Sequence, residues 1–123
     1  MVGLFVTTDN EMSTMEYDAP HYDVIQKAVG GWYEHVRPMW LEQPYCMMVN
    51  EEGLLHNLPL NRLGSELYGT PQHGQPIVGN IFFLKDGYHG GERDVVGMTE
   101  DEAQRLGDKF VKMTGGIVRW AKN

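Results

Sequence analysis

The sequence predicts an α+β fold: a domain with a mixed or mostly antiparallel sheet of about five strands, packed with about three helices. Three observations carry this expectation. Two short apolar segments flank the turn signal Asp9-Asn10 and read as a hairpin. Single helical patterns, not repeated strand–helix units, separate the later strand candidates. No internal repeat or linker interrupts the 123 residues, so residues 1–123 read as a single domain.

Leu4-Phe5-Val6 reads as the first strand, and Met12 to Tyr17 as its partner. Asp18-Ala19-Pro20 opens a helix, because a missing N–H costs nothing in a first turn. Tyr22, Ile25, Ala28 and Val29 recur at helical spacing, and Gly30-Gly31 ends the run. Trp32 to Val36 reads as a strand stopped by Arg37-Pro38, and Tyr45 to Val49 as a central strand followed by a turn at Asn50 to Gly53. Asn61 caps a short helix that holds Leu63 and Leu67 and stops at Gly69. Thr70 to Gln75 reads as a loop. Ile77 to Leu84 is the strongest strand pattern, with Gly79 hinting at a bulge. Asp86 to Gly97 is glycine-rich and reads as a mobile loop. Thr99 to Glu102 is a capping box, ahead of a helix whose Ala103, Leu106, Phe110 and Met113 face one way. Ile117 to Trp120 is an apolar tail, either a last strand or a packed end.

The formal net charge of −7 opposes phosphate backbones and argues against direct nucleic-acid binding. Acidity serves solubility, or alternatively mimics a nucleic-acid surface that occupies a basic cleft. The single cysteine, Cys46, lies in an apolar run and reads as a buried core residue. No secretory signal and no membrane-length apolar stretch is visible, so the expected location is the cytoplasm.

The order Val49-Asn50-Glu51-Glu52-Gly53-Leu54-Leu55, Leu58-Pro59-Leu60-Asn61, Leu67-Tyr68-Gly69-Thr70 and Pro76-Ile77-Val78-Gly79-Asn80 resembles an uncharacterised domain family of bacteriophages and mobile elements. Ala28 to Gly31, Val36-Arg37-Pro38 and Asp94 to Thr99 extend the resemblance over nearly the whole chain. Leu60 and Gly64 depart from it, standing where Pro and Ala are expected. The resemblance brings no reaction. It implies a phage or mobile-element setting, hence the cytoplasm of an infected cell.

The five histidines form no metal-ligand motif, and no nucleophile elbow or phosphate loop is present. No catalytic residue, cofactor or metal is therefore expected, and the chain reads as a binding protein and not an enzyme. The expected function is sequestration of a small nucleotide-derived immune signal, without cleavage, by a homo-oligomer. Arg37 and Arg62 are candidates for its anionic groups. Asn50, Asn61 and Asn80 suit base or sugar edges; the plainer alternative is that all three cap turns and helices, which is the favoured account of Asn61. Tyr68 or Trp32 would stack, and Arg93 would close over the ligand on the Asp86–Gly97 loop. Two alternatives stay open. One is an acidic inhibitor of a host defence or DNA-handling protein. The other is a small nucleotide-cleaving enzyme using Glu51 or Glu52 with a histidine.

Overall fold

The computed structural model describes residues 1–18 and 20–122. Its strands are β1 (Val2–Val6), β2 (Glu11–Glu16), β3 (Tyr33–Val36), β4 (Tyr45–Asn50), β5 (Ile81–His89), β6 (Glu92–Val96) and β7 (Arg119–Trp120). Its helices are α1 (Tyr22–Val29), α2 (Arg62–Tyr68), α3 (Thr70–His73) and α4 (Glu100–Met113). The strands form one sheet in the order β3-β4-β5-β1-β2-β7. β6 pairs with β5 on the same edge as β1, further along the strand. All pairs are antiparallel except β2 with β7, so the sheet is mixed and the fold is α+β.

Among the described residues there are seven strands and four helices, more than expected, and the additions are short. The segment expected to be a mobile loop is instead the β5–β6 hairpin, in register from Lys85↔Val96 to His89↔Glu92. Thr70–His73 forms a helical turn, with Pro71 where its missing N–H is harmless. The tail resolves into β7, which adds to β2. Conversely, the Ile77–Leu84 strand is corrected at its start. Gly79 takes a left-handed φ of 83° and donates its N–H to Pro59 O at 2.8 Å, so pairing with β4 and β1 begins only beyond it. Of the expected opening of α1, Ala19 lies outside the described residues; the helix itself begins at Tyr22.

Two cores sit on the two faces of the sheet. Cys46, Met48, Phe82 and Leu84 point to one face and meet Ile25, Ala28 and Val29 of α1. Leu4, Val6, Met47, Val49, Ile81 and Phe83 point to the other and meet α2 and α4 through Leu63, Leu67, Ala103, Leu106 and Phe110. Residues that alternate along β4 and β5 thus serve both cores, as strands covered on both faces require. β3 is the outermost strand at one end, its register running from Tyr33↔Asn50 to Val36↔Met47. That edge positions the site.

Candidate functional site

A cleft of about 330 Å³ opens beside β3 on the face that carries α2. Small-ligand sites start at about this size. Val36, Val49, Ile77 and Val78 form an apolar floor, and Tyr68 enters from the end of α2. Glu34, Glu51, Glu52, Asn50 and Gln75 supply its polar groups. Among the described residues lining it there is no Lys, Arg or His. Its local potential is therefore negative, in keeping with the whole chain.

Local structure explains these positions. Glu34 and Val36 lie two apart on β3 and so share a face, opposite Val49 and Met47 of β4. The turn after β4 is tied back by Asn50. Its Nδ2 donates to Val29 O at 3.1 Å, and its Oδ1 accepts from Glu52 N at 2.8 Å. Leu54 and Leu55 lie on this turn with 58% and 73% of their surface exposed, which leaves an apolar lip on the cleft.

Asn50 and Tyr68 are the two expected ligand residues that the structure brings together here. The others are dispersed. Asn61 is buried as the N-cap of α2: Oδ1 accepts from Gly64 N, while Nδ2 donates to Val6 O and Gly79 O. Asn80 precedes β5 and accepts from Thr8 N at 3.1 Å, beside a different hollow shared with Lys27 and Pro59. Arg62 is exposed at the start of α2, 3.6 Å from Glu66. Trp32 is 67% exposed just before β3, where its carbonyl accepts from Glu51 N. Arg93 stands on β6 opposite Tyr88 and is fixed in a hairpin.

Arg37 lies on the other face of the sheet. Its Nε and Nη2 donate to the two oxygens of Asp86 at 2.6 and 2.7 Å. Asp86 continues the face of Phe82 and Leu84, where His35 and Cys46 also point. Burial alone would raise the Asp86 carboxyl, but the Arg37 hydrogen bonds and charge outweigh it and hold it below its ordinary value. Burial, with Arg37 alongside, holds the His35 imidazole below its ordinary value despite Asp86. Burial pushes the Cys46 thiol up to about 12, so it is protonated at neutral pH in the metal-free protein.

Sequence reasoning missed Glu34 and Gln75 of the cleft and the cluster of His35 and Asp86 with Cys46. The alternation in Tyr33-Glu34-His35-Val36 already separates Glu34 from His35. What it lacks is the pairing register that gives each its neighbours.

Among the described residues, no helix is long and apolar enough to cross a membrane. No curated protein matches the chain. Among solved structures, the small RNA methyltransferase HEN1 is similar in fold, with a TM-score of 0.51 and 14% identity over 86% of this chain. The chain spans only 16% of that protein, and the likeness concerns architecture alone. The family described as "Domain of unknown function (DUF3846)" matches residues 1–111, and the chain belongs to that family.

Proposed function

We propose that this protein is a phage-type counter-defence protein that holds a small nucleotide-derived signalling molecule without cleaving it, and that it works as a homo-oligomer. The observation that supports this reading best is the cleft beside β3, with its apolar floor, the Tyr68 ring and a rim of hydrogen-bond acceptors. Carboxylates accept from ribose hydroxyls and exocyclic amines, and an apolar floor suits the faces of a base. The cleft thus fits the nucleoside end of such a ligand. Its phosphates are repelled by Glu34, Glu51 and Glu52 and must face outward. A second copy then supplies the cation, and Arg62, which is 54% exposed, is the candidate. Trp32, Leu54 and Leu55 offer that copy an apolar contact.

The absence of any lysine, arginine or histidine from the described lining favours a second reading, in which a basic protein segment fills the cleft. One experiment separates the two. The purified protein is dialysed against a panel of nucleosides, cyclic nucleotides and nucleotide-derived signals, then against a lysine- and arginine-rich peptide. It is heated, and the released material is weighed by mass spectrometry. Intact nucleotide, lost in a Glu34→Gln/Glu51→Gln double variant that keeps its fold, supports sequestration. Salt-sensitive uptake of the peptide alone supports the second reading. A product of altered mass overturns both and points to Glu52 with His56, whose side chains lie 3.9 Å apart.

A further inference from the structure

On the sheet face opposite the cleft, three donor atoms from three neighbouring strands converge. His35 Nε2, Cys46 Sγ and a carboxylate oxygen of Asp86 all lie within 4.8 Å of one another. We propose that His35, Cys46 and Asp86 form a three-residue binding site for one divalent cation of the zinc type.

The first support is a close approach. His35 Nε2 is shielded from solvent and lies 3.2 Å from Asp86 Oδ1, its partner across the strands, without a well-aligned hydrogen bond between them. A cation held between nitrogen and oxygen fits that arrangement. A tetrahedral ion with N and O bonds of about 2.0–2.1 Å sets those ligands about 3.3 Å apart. That edge of the polyhedron is thus already at its bound length, and the sulfur lies within 4.8 Å of both atoms.

The second support is the donor set. Imidazole, thiolate and carboxylate together suit zinc and its thiophilic neighbours better than magnesium or calcium, which prefer oxygen alone. The third is the scaffold. Arg37 grips Asp86 with two hydrogen bonds and fixes the orientation of its carboxylate, as partners behind metal ligands commonly do. His35 and Asp86 keep 28% and 18% of their side-chain surface, so the cluster lies just beneath the surface, although Nε2 itself is shielded and Cys46 closes the site from within. On binding, the S–H bond of Cys46 breaks, a sulfur–metal bond forms and the proton passes to solvent. Asp86 and the thiolate then balance the two charges of the ion, and Arg37 remains as one positive charge at the rim.

The test is a titration of the full chain with Co²⁺, a spectroscopic stand-in for zinc. The expected result is uptake of one equivalent with a thiolate-to-cobalt band in the near ultraviolet, abolished by added Zn²⁺. Cys46 is the only cysteine in the chain, so that band identifies it without any variant. His35→Ala should weaken binding by more than the roughly 10–100-fold that loss of a residue behind a ligand costs, and Cys46→Ser should remove the band. Zinc should raise the Tm of the parent and leave that of folded Cys46→Ser unmoved. Absence of a thiolate band at saturating Co²⁺ overturns the proposal, as does a zinc-dependent Tm rise that survives in Cys46→Ser.

Discussion

Asn61 shows what one polar side chain does inside this protein. It is 1% exposed, and its amide makes three hydrogen bonds that join the start of α2 to β1 and to the segment before β5. Asn61→Ala removes the helix cap and leaves two buried carbonyls short of a donor. The expected loss is about 3 kcal/mol, read as a lower urea midpoint at unchanged m. Asn61→Asp should also destabilise, because a carboxylate still accepts from Gly64 but faces Val6 O and Gly79 O with no proton to give. Gly3 makes a different demand. A Cβ placed there would meet Phe82 Cζ at 2.1 Å, and Phe82 is fully buried. Gly3→Ala should cost about 1–3 kcal/mol through overpacking. Combining it with Phe82→Leu should cost less than the sum of the two single changes, since the shorter side chain vacates that space.

At the scale of elements, α4 owes its start to reciprocal bonds. Thr99 Oγ1 accepts from Glu102 N at 3.1 Å, and Glu102 Oε1 accepts from Thr99 N at 2.9 Å. Lys85 reaches the same carboxylate from β5 at 2.9 and 3.0 Å, so the cap also pins the helix to the sheet. Thr99→Ala should lower stability by about 1 kcal/mol. The Thr99 backbone bond first, then Lys85, hold the Glu102 carboxyl below the ordinary value of 4.5. Because the depressed value belongs to the folded state, this stabilisation is present above about pH 4.5 and fades as pH falls through the folded value. Glu102→Gln should therefore flatten the acid side of the stability profile, measured by urea unfolding from pH 7 to pH 3. An unchanged acid slope would place the sensitivity elsewhere. The β5–β6 hairpin makes the same point about segments rich in glycine. Gly90 and Gly91, with φ of 59° and 84°, supply its tight turn, and Arg93 is held on a paired strand.

At the scale of the whole molecule, the sheet is covered by α1 on one face and by α2 and α4 on the other, while β3 keeps an outer edge. The acidic cleft lies at that edge and the three-donor cluster lies behind it. The net charge of −7 and the carboxylates of the cleft act in the same direction. A cationic fluorescent peptide should consequently bind more weakly as salt rises, with a smaller salt dependence in Glu34→Gln/Glu51→Gln, followed by anisotropy. If self-association uses the exposed lip, Trp32→Ala and Leu55→Asp should reduce it in sedimentation velocity without moving Tm, because both side chains are mostly exposed in the single chain.

Local chemistry by itself determined the α+β class, the first hairpin, the central strand at Tyr45, the burial of Cys46 and both helix caps. These features depend on neighbours a few residues apart: Asn10 accepts a φ of 65°, Thr99 meets Glu102, and Gly30 and Gly69 end their helices in left-handed backbone. Only the tertiary structure decided which polar residues meet. Arg37 looks free in the sequence, yet Asp86 claims it across 49 positions, and Asn61 is committed to β1 across 55. Asn50 joins Glu34 and Gln75 because strand register and the path after α3 bring them to one edge. Alternation along a strand tells which residues share a face, but the partner on the next strand is set by long-range pairing, which the order of residues along the chain does not display.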